Sequence, residues 1–121
     1  MHPGRGQVLR VKAPWIKECI VLEHEVTYIL PIDDVIVLGG TYDLDNYDLS
    51  VQQNVSEDIL KRCFKILPSL KHAEIVKEAC GLRPCRSHGV RLELETIDDV
   101  KIIHNYGHGG AGVTLAWGII Q

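Results

Sequence analysis

Apolar and polar residues alternate in short runs over the first forty positions, and this period of two predicts strands. The runs are residues 7–11, 18–22, 27–30 and 35–38, and the last of them is apolar throughout. A fully apolar run is typical of a strand that is covered on both faces. The turn at 31–34 joins the third and fourth runs closely enough to predict a β-hairpin.

A spacing of three and four residues replaces this alternation after position 55 and predicts a helix. The polar stretch 42–54 before it has no period and predicts a loop. Ser56 is expected to cap the helix N-terminus, with acidic residues in the first turn. Pro68 is expected to end the helix, because proline disfavours the helical conformation in the residue before it. The apolar face comprises Ile59, Leu60, Cys63, Phe64 and Leu67.

The last third of the chain predicts two further strands and a second helix. Residues 73–80 fit either type, since their β-branched residues favour a strand and the flanking charges favour a helix. Residues 90–95 alternate strictly and predict a half-buried strand, which a turn at 98–99 joins to another strand at 100–104. After a glycine-rich turn, an apolar helix is expected from Val113 onward.

Composition excludes several classes of protein. The chain has 121 residues, of which 45% are hydrophobic and 24% charged, with a net charge of −3. These values predict a folded domain or a piece of one, and the mild acidity disfavours a nucleic-acid or anionic-membrane surface. The sequence has neither an apolar run of roughly 20 residues nor a signal peptide, which disfavours a membrane protein. Four cysteines indicate a reduced compartment rather than a disulfide scaffold, with Cys19 and Cys63 expected to be buried.

The strongest chemical signal is a strand that enters a glycine-rich turn and then a helix, at residues 100–114. Glycines let a flat ligand approach the main chain, and a helix N-terminus presents free N–H groups with a positive dipole. A phosphate, or the pyrimidine edge of a reduced flavin, suits such a site. A purely structural turn explains the residues equally well, because they match neither the GxGxxG pattern nor the P-loop.

Arg83 and Tyr28 are the other candidate ligand-binding side chains. Arg83 precedes Pro84, which favours an extended backbone, and its guanidinium group can hold a carboxylate through two parallel hydrogen bonds. Tyr28 lies within a predicted strand and gains interest only if it faces the same ligand. Surface ion pairs for Arg83 and Arg86, and core packing for Tyr28, are the simpler explanations.

A structural zinc site is a competing interpretation of the cysteines and histidines. His104 and His108 have the spacing of half a zinc finger, but Cys80 and Cys85 enclose a Pro-containing segment unlike a zinc knuckle. His88 is a further potential ligand. The sequence therefore predicts no metal site.

Seven stretches, in order along almost the whole chain, resemble the D-amino-acid oxidase family. The most specific is HNYGHGGAG at 104–112, close to the signature of that family. The short linkers and the form GLRP at 81–84 make the resemblance nearer to the D-aspartate oxidases of that family. The resemblance implies an α+β fold: a mixed, largely antiparallel sheet of the substrate domain, followed by the C-terminal strand and helix of a Rossmann-like FAD domain. Residues 1–86 would be part of the substrate-binding domain and 87–121 a truncated part of the FAD-binding domain. The other stretches are residues 5–15, 28–31, 37–41, 67–70, 81–84 and 90–93.

The resemblance covers only the C-terminal part of the family, so a fragment without the N-terminal FAD-binding glycine motif is expected, inactive by itself. The alternative is a non-catalytic binding or interaction module that retains the pocket. Unpaired strand edges would favour association into a homo-oligomer. The family implies a peroxisomal or cytoplasmic location, although the peroxisomal tripeptide is absent from this chain.

The activity that the resemblance implies is FAD-dependent oxidation of a D-amino acid by molecular oxygen, which yields a 2-oxo acid, ammonia and hydrogen peroxide. Arg83 would bind the substrate α-carboxylate, Tyr28 would hydrogen-bond the same group, and the Gly110 carbonyl would accept from the amine. Catalysis would consist of orientation and electrostatics, without a strong base. The flavin ring would lie along Gly109, Gly110, Ala111, Gly112, Val113 and Thr114.

Two departures from the D-aspartate oxidase pattern concern substrate preference. Tyr42 stands where those enzymes tend to have an arginine for the side-chain carboxylate. The loop 23–25, which contains Glu23 and Glu25, is acidic where a second arginine is expected. Acidic groups would repel an acidic substrate at short range. A neutral or basic D-amino acid is therefore an alternative to D-aspartate, for which His24 or Arg86 would have to supply the missing cation.

Overall fold

One long strand, β1 (His2–Lys12), organises the larger of two sheets. The computed structural model describes residues 1–119. β1 pairs along its whole length with one neighbour, and two shorter strands share its other edge. All of these pairings are antiparallel. The strand predicted at residues 7–11 is therefore confirmed and extends further in both directions.

The predicted hairpin is confirmed and pairs with β1 through its second strand. Ile29 pairs with Leu38 around a turn in which Asp33 has a positive φ of 51°. The sheet runs β2 (Ile20–Leu22), β3 (Thr27–Ile32), β4 (Val35–Gly39) and then β1. The short β5 (Asp43–Leu44) pairs with β1 further along the same edge as β4. The loop predicted for residues 42–54 is wrong at both ends, because β5 and the next helix begin within it.

The predicted helix is present as α1 (Gln53–Ile66), which ends before Pro68, and a 3-10 helix (Pro68–His72) follows. The predicted N-cap is wrong, because Gln52 occupies that position and Ser56 lies inside the helix. Ser56 is buried, and its hydroxyl accepts a hydrogen bond of 2.8 Å from the Gln7 side-chain amide. The buried amide of Gln7 needs an acceptor, so the serine serves a contact with β1 rather than the helix end.

The hydrophobic core lies between α1 and the face of the sheet formed by β1, β3 and β4. Cys63 is buried in it, as predicted. The same prediction is wrong for Cys19, which is exposed because it lies in the short segment before the edge strand β2. The other buried apolar residues of the core are Leu9, Val11, Ala13, Ile16, Ile29, Ile36, Leu38, Ile59 and Leu70.

Buried polar side chains join β1 to the segment that leads into α1. Arg5 is fully buried and donates to the carbonyls of Asp48 and Ser50 at 2.8 and 2.7 Å. The Gln7 side chain accepts from the Gln52 backbone N–H at 3.0 Å and donates to its carbonyl at 2.8 Å. These bonds fix the irregular segment 48–52 against the sheet, because an unpaired buried polar group is costly.

The second half of the chain supplies β6 (Glu74–Cys85), β7 (Arg91–Ile97), β8 (Val100–Tyr106) and α2 (Gly112–Ile119). β6 pairs with β1, so the ambiguous stretch 73–80 is a strand from Glu74 onward. β7 and β8 form a separate hairpin, as predicted. Asp98 and Asp99, both with positive φ, make its turn. The predicted α+β fold class is confirmed.

The prediction that β7 is half-buried through its apolar side is wrong. Leu92 and Leu94 are exposed, as is Ile103 on β8, whereas Arg91 and Glu95 on the opposite side are partly covered. Arg91 donates a hydrogen bond to the Tyr106 hydroxyl across the hairpin, so contacts within the hairpin cover the polar side of β7.

The chain passes from the larger sheet to the hairpin at residues 86–90, beside the predicted domain boundary. The division into domains stays a prediction. Within residues 1–119, no helix is long and apolar enough to cross a bilayer.

Candidate functional site

Arg83 lies near the end of β6, and its side chain crosses the neighbouring strand β1 at Gly6. A Cβ atom on Gly6 would lie 2.2 Å from Nη1 of Arg83, so the guanidinium group rests where only glycine leaves room. Nη1 donates to the Thr41 carbonyl at 3.0 Å. The ring of Tyr42 lies 5.3 Å from the guanidinium carbon, within the range of a cation–π contact. Arg83 is thus held in one orientation by β1 and by the segment that contains Thr41 and Tyr42.

Tyr42 supports Arg83 as a neutral ring. Its hydroxyl lies 2.9 Å from the sulfur of the buried Cys85. This hydrogen bond, together with burial, raises the pKa of Tyr42, while the nearby Arg83 charge acts in the opposite direction. Because the phenol stays protonated at neutral pH, Tyr42 offers Arg83 an aromatic ring for a cation–π contact and no competing negative charge.

Tyr28 lies on β3, and its ring covers the two glycines at the end of β4. A Cβ atom on Gly39 would lie 2.1 Å from Cζ of Tyr28, and one on Gly40 would lie 2.8 Å from its hydroxyl. Thr41, whose carbonyl binds Arg83, follows these glycines directly. Tyr28 and Arg83 therefore contact the same short segment, 39–41, from two different strands.

The glycine-rich turn after β8 packs against the end of β6, so the two strongest sequence motifs meet. Gly109 donates its backbone N–H to the Pro84 carbonyl at 2.8 Å, and Cys85 forms an isolated β-bridge with His108. A Cβ atom on Gly110 would lie 3.4 Å from Cδ of Arg83. The structure thus brings the Arg83 side chain and the main chain of Gly110 together, as the sequence interpretation required.

The turn leads directly into α2, whose N-terminus lies beside this cluster. Gly109 has a positive φ of 56°, which favours glycine, and the Ala111 N–H donates to the His108 carbonyl at 3.0 Å. The N–H groups of the first helical turn have no acceptor within the helix, and they carry the positive end of its dipole. Gly110 is exposed, and Val113 is 94% exposed. A flat group that gathers negative charge fits against this main chain.

Three residues of the zinc interpretation, His104, His108 and Cys85, have other partners. His104 bonds the Glu95 carboxylate at 2.7 Å, and His108 bonds the Asn105 side chain at 2.6 Å. Cys85 is paired with Tyr42. Among residues 1–119, no group of three or more histidine, cysteine or acidic residues is placed to hold a metal ion.

Sequence reasoning missed the residues that support Arg83 and Tyr28. Thr41, the stacking role of Tyr42 and the contacts of Arg62 described below depend on pairings between distant segments. Gly6 is the one position with a usable signal, since a glycine inside a strand pattern often marks a close approach of another group.

Comparison with known proteins gives concordant results along the whole chain. A family model described as FAD dependent oxidoreductase matches residues 1–120. A D-amino acid oxidase from Dugesia ryukyuensis is 44% identical over 98% of this chain and 37% of its own length. A human D-aspartate oxidase is 41% identical over 98% of this chain and 36% of its own length. The chain therefore spans little more than a third of these relatives.

Solved structures show the same fold. A glycine oxidase from Bacillus cereus superposes with a TM-score of 0.81 at 30% identity, covering 94% of this chain and 32% of that one. A glycine oxidase from Geobacillus kaustophilus gives a TM-score of 0.85 at 22% identity, covering 97% of this chain and 32% of that one, which supports the fold alone. On the family model and these relatives, the chain belongs to the FAD dependent oxidoreductase family.

Proposed function

We propose that this chain provides the substrate-binding residues and part of the flavin-binding main chain of an oxidase that deaminates D-amino acids with FAD. The observation that carries the proposal is the convergence of Arg83, Tyr28 and the Gly110 turn on one small region. Relatives at about 40% identity are named D-amino acid oxidase and D-aspartate oxidase, which supports the same reaction. Residues 1–86 and 87–121 would belong to the substrate-binding and FAD-binding domains respectively.

In this proposal Arg83 binds the substrate α-carboxylate. One of its N–H groups donates to the Thr41 carbonyl, and the cation–π contact with Tyr42 restrains the guanidinium group further. The remaining donors suit a carboxylate, which guanidinium groups bind through parallel, charge-assisted hydrogen bonds. Tyr28 supplies a further hydroxyl donor. A fixed site of this kind lowers the entropy lost when the substrate is oriented.

The main chain of residues 109–114 would face the flavin, with its N–H groups and helix dipole stabilising negative charge on the ring. FAD held by this main chain would supply the two-electron oxidant that the reaction needs. The Gly110 carbonyl would accept a hydrogen bond from the substrate amine and so orient the substrate α-carbon toward the flavin ring. In the overall reaction, the amino acid, oxygen and water yield a 2-oxo acid, ammonia and hydrogen peroxide.

Substrate preference would follow from Tyr42, which presents a neutral aromatic surface beside Arg83. This arrangement supports a neutral or basic D-amino acid over D-aspartate, because it adds no second cation for a side-chain carboxylate. Peroxisomal location is part of the same proposal and rests on the family resemblance alone.

The test uses the full-length protein that contains this chain. We expect a flavin absorbance spectrum and hydrogen peroxide formation with D- but not L-amino acids. Arg83→Ala should abolish turnover while the flavin stays bound, whereas Arg10→Ala, which alters an exposed arginine on β1, should behave as the wild type. Retained turnover in Arg83→Ala would remove the proposed carboxylate site. A flavin-free protein that still binds amino acids would favour the non-catalytic module.

A further inference from the structure

We propose that Arg62 of α1 is a positioning residue for the carboxylate site. It holds together the two chain segments that present Tyr28 and the Thr41 carbonyl. This inference rests on the proposed function, because Arg62 would influence binding of the substrate carboxylate. It would do so indirectly, by positioning the segments that carry the groups of the site.

The Arg62 guanidinium group reaches across from the helix to two separate parts of the sheet. Its Nη1 donates to the Glu25 carbonyl at 2.9 Å and to the Thr27 hydroxyl. Its Nη2 donates to the Gly40 carbonyl at 2.9 Å. Nε pairs with Asp58 one turn earlier on the same helix, at 2.8 Å. Only 16% of the side chain is exposed, so these contacts are largely shielded from water.

The acceptors lie next to the groups that form the site. Thr27 immediately precedes Tyr28, and Gly40 immediately precedes Thr41. The regular pairing of β3 with β4 ends at Tyr28 and Gly39, so the carbonyl of Gly40 lies just beyond the ladder. Arg62 supplies the donor that the sheet itself does not offer there. A single planar group thus sets the distance between the two segments.

Arginine suits this role because its donors form a rigid fork. Three acceptors on two segments are bound by two nitrogens in one plane, a geometry that a lysine ammonium group cannot reproduce. The hydrogen bond from the Gly40 N–H to the Val26 carbonyl, at 2.7 Å, links the same segments but restrains only one point. Without Arg62, that single hydrogen bond would remain to hold the two segments together, and they could rotate about it.

The contacts of Arg62 affect Arg83 indirectly. Arg83 is oriented by the Thr41 carbonyl, and Tyr28 rests on the glycines that precede Thr41. A shift of this segment would therefore move both proposed carboxylate donors at once. A displacement of about 1 Å at a catalytic site can lower the rate about 100-fold.

The experiment compares Arg62→Ala and Arg62→Lys with the matched control Asp58→Asn in the FAD-loaded, full-length protein. The control removes the ion pair on the exposed helix surface and leaves the three acceptors across the sheet in contact with Arg62. Calorimetric titration with benzoate gives the affinity for a carboxylate without turnover. Steady-state kinetics with D-alanine separates KM from kcat, and thermal unfolding reports stability.

We expect Arg62→Ala to raise both the benzoate Kd and KM at least about tenfold, which corresponds to about 1.4 kcal/mol. The flavin spectrum should stay unchanged, Arg62→Lys should be intermediate, and Asp58→Asn should stay within about twofold of the wild type. A folded Arg62→Ala protein with wild-type benzoate affinity overturns the inference. Should that variant not fold, Arg62→Lys is decisive by the same criterion, since a purely structural role changes the unfolding temperature without changing Kd.

The outcomes for the wild type separate this inference from the proposed function. A wild-type protein that binds benzoate and oxidises no D-amino acid refutes the proposed function, while the benzoate series still decides the role of Arg62. A wild-type protein that binds no carboxylate overturns the inference together with the site on which it rests.

Discussion

Gly6→Ala is expected to disable the carboxylate site without unfolding the protein. The added Cβ atom would lie 2.2 Å from Nη1 of Arg83 and 2.5 Å from Cζ. Ordinary van der Waals contact begins at 3.4 Å, so the guanidinium group must retreat by about 1.2 Å, the difference between 3.4 and 2.2 Å. That movement is incompatible with the 3.0 Å hydrogen bond to Thr41 in its present geometry.

The effect on stability should be small, because the atoms that must move belong to the end of a flexible side chain. Loss of a hydrogen bond from a charged donor costs about 1.5–3 kcal/mol, and replacing glycine by alanine in a strand returns about 0.5–1 kcal/mol. The free energy of unfolding should therefore fall by no more than about 2.5 kcal/mol. Substrate affinity should fall far more, with KM rising about 100-fold, as expected for a displacement of about 1 Å.

The control variant is Gly81→Ala, at the residue that pairs with Gly6 on the neighbouring strand. Gly81 of β6 pairs with Gly6, and a Cβ atom there would meet no described atom within 4 Å. Gly81→Ala thus makes the same chemical change in the same pair of strands and leaves Arg83 in place. The assay is KM for a D-amino acid in the full-length protein, with urea unfolding measured in parallel. Equal KM values for Gly6→Ala and Gly81→Ala would refute the proposed role of the Arg83 position.

Three further predictions concern groups outside the carboxylate site. Gln7→Leu should lower the free energy of unfolding by at least about 2 kcal/mol in urea, because it leaves the buried partners of the amide unpaired, while Glu57→Ala on the exposed face of α1 should have no such effect. Hydrogen bonds from Ser50 and Gln52 lower the pKa of Asp48 to about 2, below its usual 3.8, so its contribution to stability is present above about pH 4 and is lost as the pH falls toward 2. The stability difference between wild type and Asp48→Asn should shrink over that interval, and a constant difference would contradict this account. Burial raises the pKa of Cys63 to about 11, so iodoacetamide at pH 8 should modify the exposed Cys19 well before Cys63, as peptide mass spectrometry would show.

The elements with a clear local period were predictable from the sequence. The hairpin of β3 and β4 and the end of α1 before Pro68 follow from alternation and from proline chemistry, which act within a few residues. Ser56 shows where local rules fail. Serine is a good helix cap in general, but here a buried amide on a distant strand takes its hydroxyl. Tertiary hydrogen bonding overrides a capping preference of about 1 kcal/mol.

The residues proposed to bind the ligand were predictable from the sequence, whereas the residues that hold them in position were not. Arg83, Tyr28 and the glycine turn stand out because their residue types and neighbours are unusual, and the family resemblance assigns them roles. Arg62 carried no such signal. Its spacing to Asp58 predicts an ion pair on a helix surface, and nothing local indicates that the same group reaches across to Gly40. The clean alternation of β7 predicted burial of Leu92, yet what covers a strand depends on the neighbouring chain and not on its own period.

The placement of β1 has a consequence for how the site forms during folding. Gly6 near the start of the chain, Thr41 in the middle, Arg83 on β6 and Gly110 beyond it come together only when β1 has acquired neighbours on both edges. Such long-range pairings give a high contact order, and chains of this kind fold slowly because large loops must close before any contact stabilises them. Ligand affinity should therefore appear in the last kinetic phase of refolding, together with native fluorescence, and no partly folded species should bind carboxylates.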